Sequence, residues 1–314
     1  MTGPGSGRWD TSYHAPVLVQ EVLALFAGAD QVLDCTLGGG GHSAALLSLG
    51  AFVTAIDRDE AAIDEARKRL AAHEASGRFH ALRGNFGELD GIAGLDDRRF
   101  NAILADLGVS SNQIDSAERG FSFRPGALLD MRMDRRSPVT AAQLLNTSEE
   151  DELTDVFCVF GDEPRGARLA REIVRRRENR VLATSDDLVG AIRGAFGARM
   201  GPSDFARLFQ AVRIAVNDEL RSLEQALPQL RDRLVPGGLL AVISYHSGED
   251  RLVKHTMREW SSACICPPKQ PHCTCRGKAL GSLVTRRAVT AGPEETQVNS
   301  RSRSARLRAW RSAA

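Results

Sequence analysis

Apolar residues along the chain keep two rhythms. Short runs with apolar centres occur at residues 31–37, 52–57, 79–83, 101–107 and 239–245, with polar stretches between them. Runs of that length predict parallel strands covered on both faces. Between the second and third, Ile63, Ala66 and Leu70 recur at helical spacing and predict an amphipathic helix. Alternating strand and helix predicts a doubly wound α/β fold. From about 118 to 205 the rhythm is helical throughout, and Ser148-x-x-Asp151 and Thr184-x-x-Asp187 read as capping boxes. Residues 203–227 predict one long amphipathic helix, and Pro236-Gly237-Gly238 ends the helical stretch. A last strand is expected over 303–311, anchored by Leu307 and Trp310. The pattern predicts a tail over 1–12, a discontinuous α/β core over 13–117 and 206–314, and an inserted helical domain over 118–205.

Four consecutive glycines, Gly38 to Gly41, follow the first strand. A side chain there would keep the backbone away from a bulky ligand. Two readings fit. Gly39-x-Gly41-x-x-Ala44, with Asp57 at the second strand end, matches a dinucleotide fingerprint. Asp34-x-x-x-Gly38-x-Gly40 matches the first motif of S-adenosylmethionine methyltransferases. In both, a strand-end carboxylate accepts hydrogen bonds from ribose hydroxyls at the carboxyl edge of the sheet.

The fourth strand favours the second reading. It ends at Asp106, beside the expected crevice, in the run Asp106-Leu-Gly-Val-Ser-Ser111. A cytosine or adenine amine delocalises its lone pair into the ring and is a poor nucleophile. An acceptor on one N–H favours the electron shift toward nitrogen as the methyl arrives, and the activated sulfonium needs mainly positioning and electrostatic help. A helix cap is the plainer role for a lone strand-end acid. The three acids together favour chemistry.

Charge sharpens the choice of partner. The 314 residues carry a net charge of only +1, but residues 251–314 hold 13 Lys/Arg against 3 Asp/Glu. A basic tail on an acidic body suits a phosphate backbone, with a solvated surface as the alternative. No run approaches the ~18 apolar residues of a membrane span. The Gly-, Ser- and Thr-rich start has no apolar core, so a cytoplasmic protein is expected. Aromatic residues make up 5% of the chain, too few for a broad base-stacking platform. A target base would be extruded into a pocket near Asp106.

The motifs resemble the bacterial small-subunit ribosomal RNA cytosine-N4 methyltransferases of MraW type. The matching stretches include His14-Ala-Pro-Val-Leu18, Gly39-Gly-Gly-His42-Ser43, Ala55-Ile-Asp57-Arg-Asp59, Asp106-Leu-Gly-Val-Ser-Ser111 and Glu118-Arg-Gly-Phe-Ser-Phe123. They continue through Leu129-Asp-Met-Arg-Met-Asp134, Phe209-Gln-Ala-Val-Arg-Ile214, Asn217-Asp-Glu-Leu220, Glu249-Asp-Arg251 and Arg301-Ser-Arg-Ser-Ala-Arg306. The resemblance implies a Rossmann-like class I S-adenosylmethionine methyltransferase core with an inserted all-helical domain. It implies S-adenosylmethionine as donor and a cytidine in the decoding region (P site) of 16S rRNA, within the small ribosomal subunit, as acceptor. Gly40, Gly41 and His42 would line the donor site, beside the Asp34 and Gly38 of the first motif, Asp57 would hold the ribose, and Phe86 would meet the adenine. Asp106 and Gln113 would complete the pocket. Three stretches depart from the family: Gly248 replaces a Leu, Gly126-Ala127-Leu128 replaces Asp-Gly-Pro, and a His-Pro is absent from 201–209. A nicotinamide-dependent oxidoreductase and a non-catalytic ribosome-assembly factor are the alternatives.

Other candidates are less specific. Ser110, Ser111, His246 and Ser247 lie where they could frame the target base. Residues 165–180 hold seven Arg and two Glu, with Arg168, Arg171 and Arg175 near one face. Phosphate contact there competes with a solvated face. Cys264-x-Cys266 and Cys273-x-Cys275 supply four thiols, enough for zinc, but the spacing is not the commoner Cys-x-x-Cys. Free thiols in a loop are the expectation, and Cys35 and Cys158 are expected in the core.

Overall fold

The computed structural model describes Trp9 and residues 16–95, 97–267, 270 and 272–314. Apart from Trp9, the tail expected over 1–12 lies outside the described residues, as does His14. The chain divides into two compact units, Met1–Gly108 with Arg221–Ala314, and Val109–Leu220.

In the first unit, seven strands form one sheet. They are β1 Gln31–Asp34, β2 Phe52–Asp57, β3 Phe79–Arg83, β4 Phe100–Asp106, β5 Leu234–Ser244, β6 Gly281–Leu283 and β7 Arg306–Ser312. Their order is β3-β2-β1-β4-β5-β7-β6. The first five run parallel, and β7 returns antiparallel against β5. Residues alternate between two cores, as the pleat requires. Val32, Ala102, Leu104, Ala241 and Ile243 join one cluster, whereas Leu33, Ile103, Ala105, Leu240 and Val242 join the other. Covering both faces makes these strands continuously apolar. Ile63, Ala66 and Leu70 are the buried stripe of the helix Glu60–Ala75, as their spacing predicts, and Asp59 caps that helix by accepting from Ala61 N at 3.2 Å.

Two sequence expectations needed adjustment in the sheet. β5 starts before the expected residue 239, because Pro236-Gly237-Gly238 makes a bulge instead of separating elements. Phe100 pairs with Leu234 and Ala102 with Leu239, and Gly237 takes a left-handed φ of 77° at the extra residues. β7 is shifted from the expected 303–311 but keeps Leu307 and Trp310 fully buried. β6 was not anticipated; three residues on a sheet edge carry too little pattern to read.

The second unit is helical. Its helices Ala141–Thr147, Glu150–Asp155, Gly166–Arg177, Ser185–Phe196 and Pro202–Asn217 enclose a core that includes Leu145, Phe157, Leu169, Ile192 and Phe209. The single rod expected over 203–227 is two helices, because Asp218 adopts a left-handed φ of 49° between Pro202–Asn217 and Glu219–Asp232. Phe205, Leu208 and Val212 pack into the helical core, so this unit is wider than the expected 118–205. Asn217 pins it: its amide donates to Met131 O at 2.7 Å and accepts from Met133 N at 2.8 Å. The Thr184–Asp187 cap forms, with Thr184 N donating to Asp187 Oδ2 at 2.9 Å. The Ser148–Asp151 cap does not. Ser148 ends the preceding helix, and Glu149 N donates instead to Glu152 Oε2 at 3.2 Å.

Trp310 is fully buried and packs edge-on against Trp260 at 5.1 Å between ring centroids. Trp310→Ala is expected to destabilise the protein by about 3–5 kcal/mol, the usual range for truncating a buried aromatic. Val298→Ala, at an exposed position, should stay within about 0.5 kcal/mol. Urea midpoints of the two variants check the contrast.

Candidate active site

The strand order reverses between β1 and β4, and a ligand crevice opens at the carboxyl ends of strands flanking such a reversal. Asp34 ends β1 and Asp106 ends β4. The glycine turn leaves β1 and enters the helix Gly41–Ser48. Gly38 and Gly40 both take left-handed φ, 50° and 74°. A Cβ on Gly40 would lie 3.2 Å from both Ala66 and Leu70, and one on Gly41 would lie 2.8 Å from the Pro16 ring. Glycine is thus required here by backbone conformation and by crowding from the protein side.

The acids divide the work. Asp34 is fully buried, accepting from Ser43 Oγ at 2.7 Å and Thr36 N at 3.2 Å. Burial pushes its carboxyl pKa up, against the pull of His42, Ser43 and Thr36. Its visible role is to fix the turn from beneath. Asp57 is half-buried and accepts from Gly38 N and Asp59 N, both at 2.8 Å. Burial outweighs those two bonds and raises its pKa to about 6. Each carboxylate oxygen has a second lone pair, so Asp57 retains acceptor capacity for a ribose.

Asp106 sits in a tight polar cluster. Tyr245 Oη donates to its Oδ1 at 2.9 Å, His42 Nε2 lies 3.3 Å from its Oδ2, and its own N–H donates to Thr36 Oγ1 at 2.7 Å. Burial pushes the Tyr245 phenol well above its ordinary pKa, and the Asp106 charge adds to the effect, so the hydroxyl stays a donor. Burial lowers the His42 pKa, but Asp106, Asp34 and Glu295 outweigh it and the net direction is up. His42 Nδ1 is buried without a hydrogen-bond partner among the described residues.

Tyr245 also lines a cleft of ≈ 390 Å³ that carries Arg251, Lys254, Arg303 and Arg306. Its acid, Asp250, is held by Arg308 at 2.7 Å. The basic C-terminal stretch therefore presents cations beside the residue that grips Asp106. His246 and Ser247 line the same cleft, but His246 also caps the helix Ser247–Trp260 and lies 3.2 Å from Glu249.

The remaining candidates have local duties. Phe86 is buried in the core beside Leu89 and Ile92. In the helical unit, Ser110 and Gln113 cap the short helix Ser111–Asp115: Ser110 N donates to Gln113 Oε1 at 2.9 Å, and Gln113 N to Ser110 Oγ at 3.2 Å. The Ser111 side chain lies outside the described residues. Arg168 and Arg175 are exposed, and Arg175 pairs with Glu172 at 2.8 Å. Sequence reasoning missed Tyr245 and Thr36. Both follow strand ends adjacent to the crevice, so the strand order alone was the signal.

A family model described as the MraW methylase family matches residues 11–313. The chain belongs to the MraW methylase family. Proteins called ribosomal RNA small subunit methyltransferase H are similar to it along their whole length. The one from Gemmatimonas aurantiaca is 59% identical over 308 residues, covering 98% of each chain. That from Heliobacterium mobile is 44% identical, covering 94% of this chain and 97% of the relative. That from Symbiobacterium thermophilum is also 44% identical, covering 95% and 96%.

The glycine turn fits S-adenosylmethionine on the structure's own terms: an acid with spare lone pairs beside it, and an orphaned buried imidazole nitrogen at the start of the following helix. The Asp57 pKa sets a pH dependence. With Asp57 as the proposed ribose acceptor, protonation turns one of its oxygens from acceptor to donor, so donor affinity is expected to be full well above about pH 6 and to fall as pH drops through that value. The slope is at most about tenfold per pH unit for one proton. Calorimetric titration with S-adenosylhomocysteine should show this fall in the wild type and a flat, weaker profile in Asp57→Asn. A wild-type affinity constant across the range would contradict it.

Proposed function

We propose that this protein transfers a methyl group from S-adenosylmethionine to the exocyclic N4 of a cytidine in 16S rRNA of the small ribosomal subunit, acting in the cytoplasm. The observation that carries the reading is the Asp106 carboxylate, fixed by the Tyr245 hydroxyl and faced by His42 at the β4 end of the crevice that also holds the glycine turn. The bound donor supplies an electrophilic methyl group. Asp106 accepts a hydrogen bond from the cytosine amine, orients its nitrogen and favours the growth of positive charge there during attack. Tyr245 keeps the carboxylate from rotating away, with His42 Nε2 3.3 Å from its other oxygen. The amine proton is lost after transfer, and Asp106 takes it through its remaining lone pairs.

RNA binding is supported by the basic cleft beside Tyr245, where Arg251, Lys254, Arg303 and Arg306 suit phosphate contacts. The exposed Arg168 of the helical unit supports the same partner. The decoding-region cytidine comes from the family resemblance, as do the donor contacts of Phe86 and Gln113. Membership in a methylase family leaves the oxidoreductase and the non-catalytic alternatives without support.

Unmethylated small subunits incubated with labelled donor should yield N4-methylcytidine on nucleoside analysis. Asp106→Asn should lower the rate by roughly 100-fold or more, within the range for removing a positioned catalytic base. Absence of N4-methylcytidine would overturn the proposed product, and full activity in Asp106→Asn would overturn the proposed role.

A further inference from the structure

The four cysteines outside the crevice converge in a segment with little burial of its own. Cys264 and Cys266 follow the helix Ser247–Trp260, and Cys273 and Cys275 precede β6. Among the described residues from 261 to 280, none is fully buried. Among them Leu280, at the end of the segment and past the last cysteine, packs against the core of the sheet. Yet all four Sγ atoms lie within 4.8 Å of one another. Cys273 is 3.5 Å from Cys275 and 3.8 Å from Cys264, Cys264 is 3.9 Å from Cys275, and Cys266 is 4.0 Å from Cys273. A tetrahedron of thiolates at the Zn–S distance of ~2.3 Å has edges of ~3.8 Å. No pair is at the ~2.05 Å of a disulfide, and all four are free.

We infer that Cys264, Cys266, Cys273 and Cys275 form a structural zinc site that ties the end of the helix Ser247–Trp260 to the edge strand β6. Four sulfur ligands select zinc over hard cations, and a closed four-thiolate shell leaves no open position for catalysis. The surroundings fit bound thiolates. Ile265 N donates to Cys275 Sγ at 3.3 Å. Such a donor offsets sulfur charge and orients the ligand. Arg276 locks the knuckle to the helix, donating to Ser262 O at 3.1 Å and to Glu259 O, with its head 3.6 Å from the Glu259 carboxylate. The Cys-x-Cys spacing departs from the common knuckle, but the two pairs complete each other across the loop.

The full-length protein, purified without chelator, should retain about one zinc per chain by elemental analysis, the stoichiometry of a closed four-ligand site. Reconstitution with cobalt alone should give the thiolate-to-cobalt charge-transfer band and the visible bands of tetrahedral cobalt. Replacing all four cysteines by serine should abolish both signals and lower the thermal midpoint, while S-adenosylhomocysteine still binds. Should that variant not fold, a mercurial titration of the wild type answers instead, with zinc released in step with thiol capture. Substoichiometric metal with no cobalt spectrum, iron in place of zinc, or disulfides found by alkylation and mass spectrometry would each overturn the inference.

Discussion

The hydrogen bond from Tyr245 Oη to Asp106 joins the ends of two neighbouring parallel strands on one side of the crevice. It depends on register. Asp106 pairs with Ile243, so Tyr245 emerges just past the end of β5 on the same side of the sheet edge. That register rests on the alternation of Ile103, Ala105, Leu240 and Val242 into one core and Leu104, Ala241 and Ile243 into the other. A slip of one residue would exchange the faces of a whole strand and remove the pair. Packing energy in the sheet is thereby converted into the position of one carboxylate.

The same logic governs the donor side. Asp34 spends its hydrogen bonds on Ser43 and Thr36, and Thr36 in turn accepts from the Asp106 N–H, so the ends of β1 and β4 are fixed to each other. Pro16 crowds Gly41, and the buried Leu18 takes a left-handed φ of 55° with its N–H on Glu295 at 2.8 Å. The turn is rigid because several distant segments brace it. Asp57 and Asp106, unlike the fully buried Asp34, combine partial exposure with spare acceptor capacity, which suits both to meet a ligand.

Much of this was legible in the sequence. The strands carrying Asp34, Asp57 and Asp106 were readable because doubly covered strands are continuously apolar, and Gly38 to Gly41 marked the turn. Tyr245 was hidden because a single tyrosine after a strand has no pattern; only strand adjacency gives it a partner. The helix break at Asp218 was hidden because the apolar periodicity of 203–227 runs on through it, and one left-handed residue leaves no trace in that periodicity. The bulge at Pro236-Gly237-Gly238 was mistaken for a boundary because the same residues serve both purposes. The cysteine cluster looked unpromising from spacing, since distance in space between the two pairs is set by the intervening loop and not by the motif.

Tyr245→Phe tests most directly whether the fixed Asp106 carboxylate drives transfer, because it removes one hydroxyl and leaves the ring. Single-turnover methylation of small subunits, paired with S-adenosylhomocysteine affinity, separates chemistry from donor binding. The account predicts a rate lower by roughly tenfold, the scale of one hydrogen bond of about 1.4 kcal/mol, with donor affinity unchanged. An unchanged rate, or a loss confined to donor affinity, would contradict it.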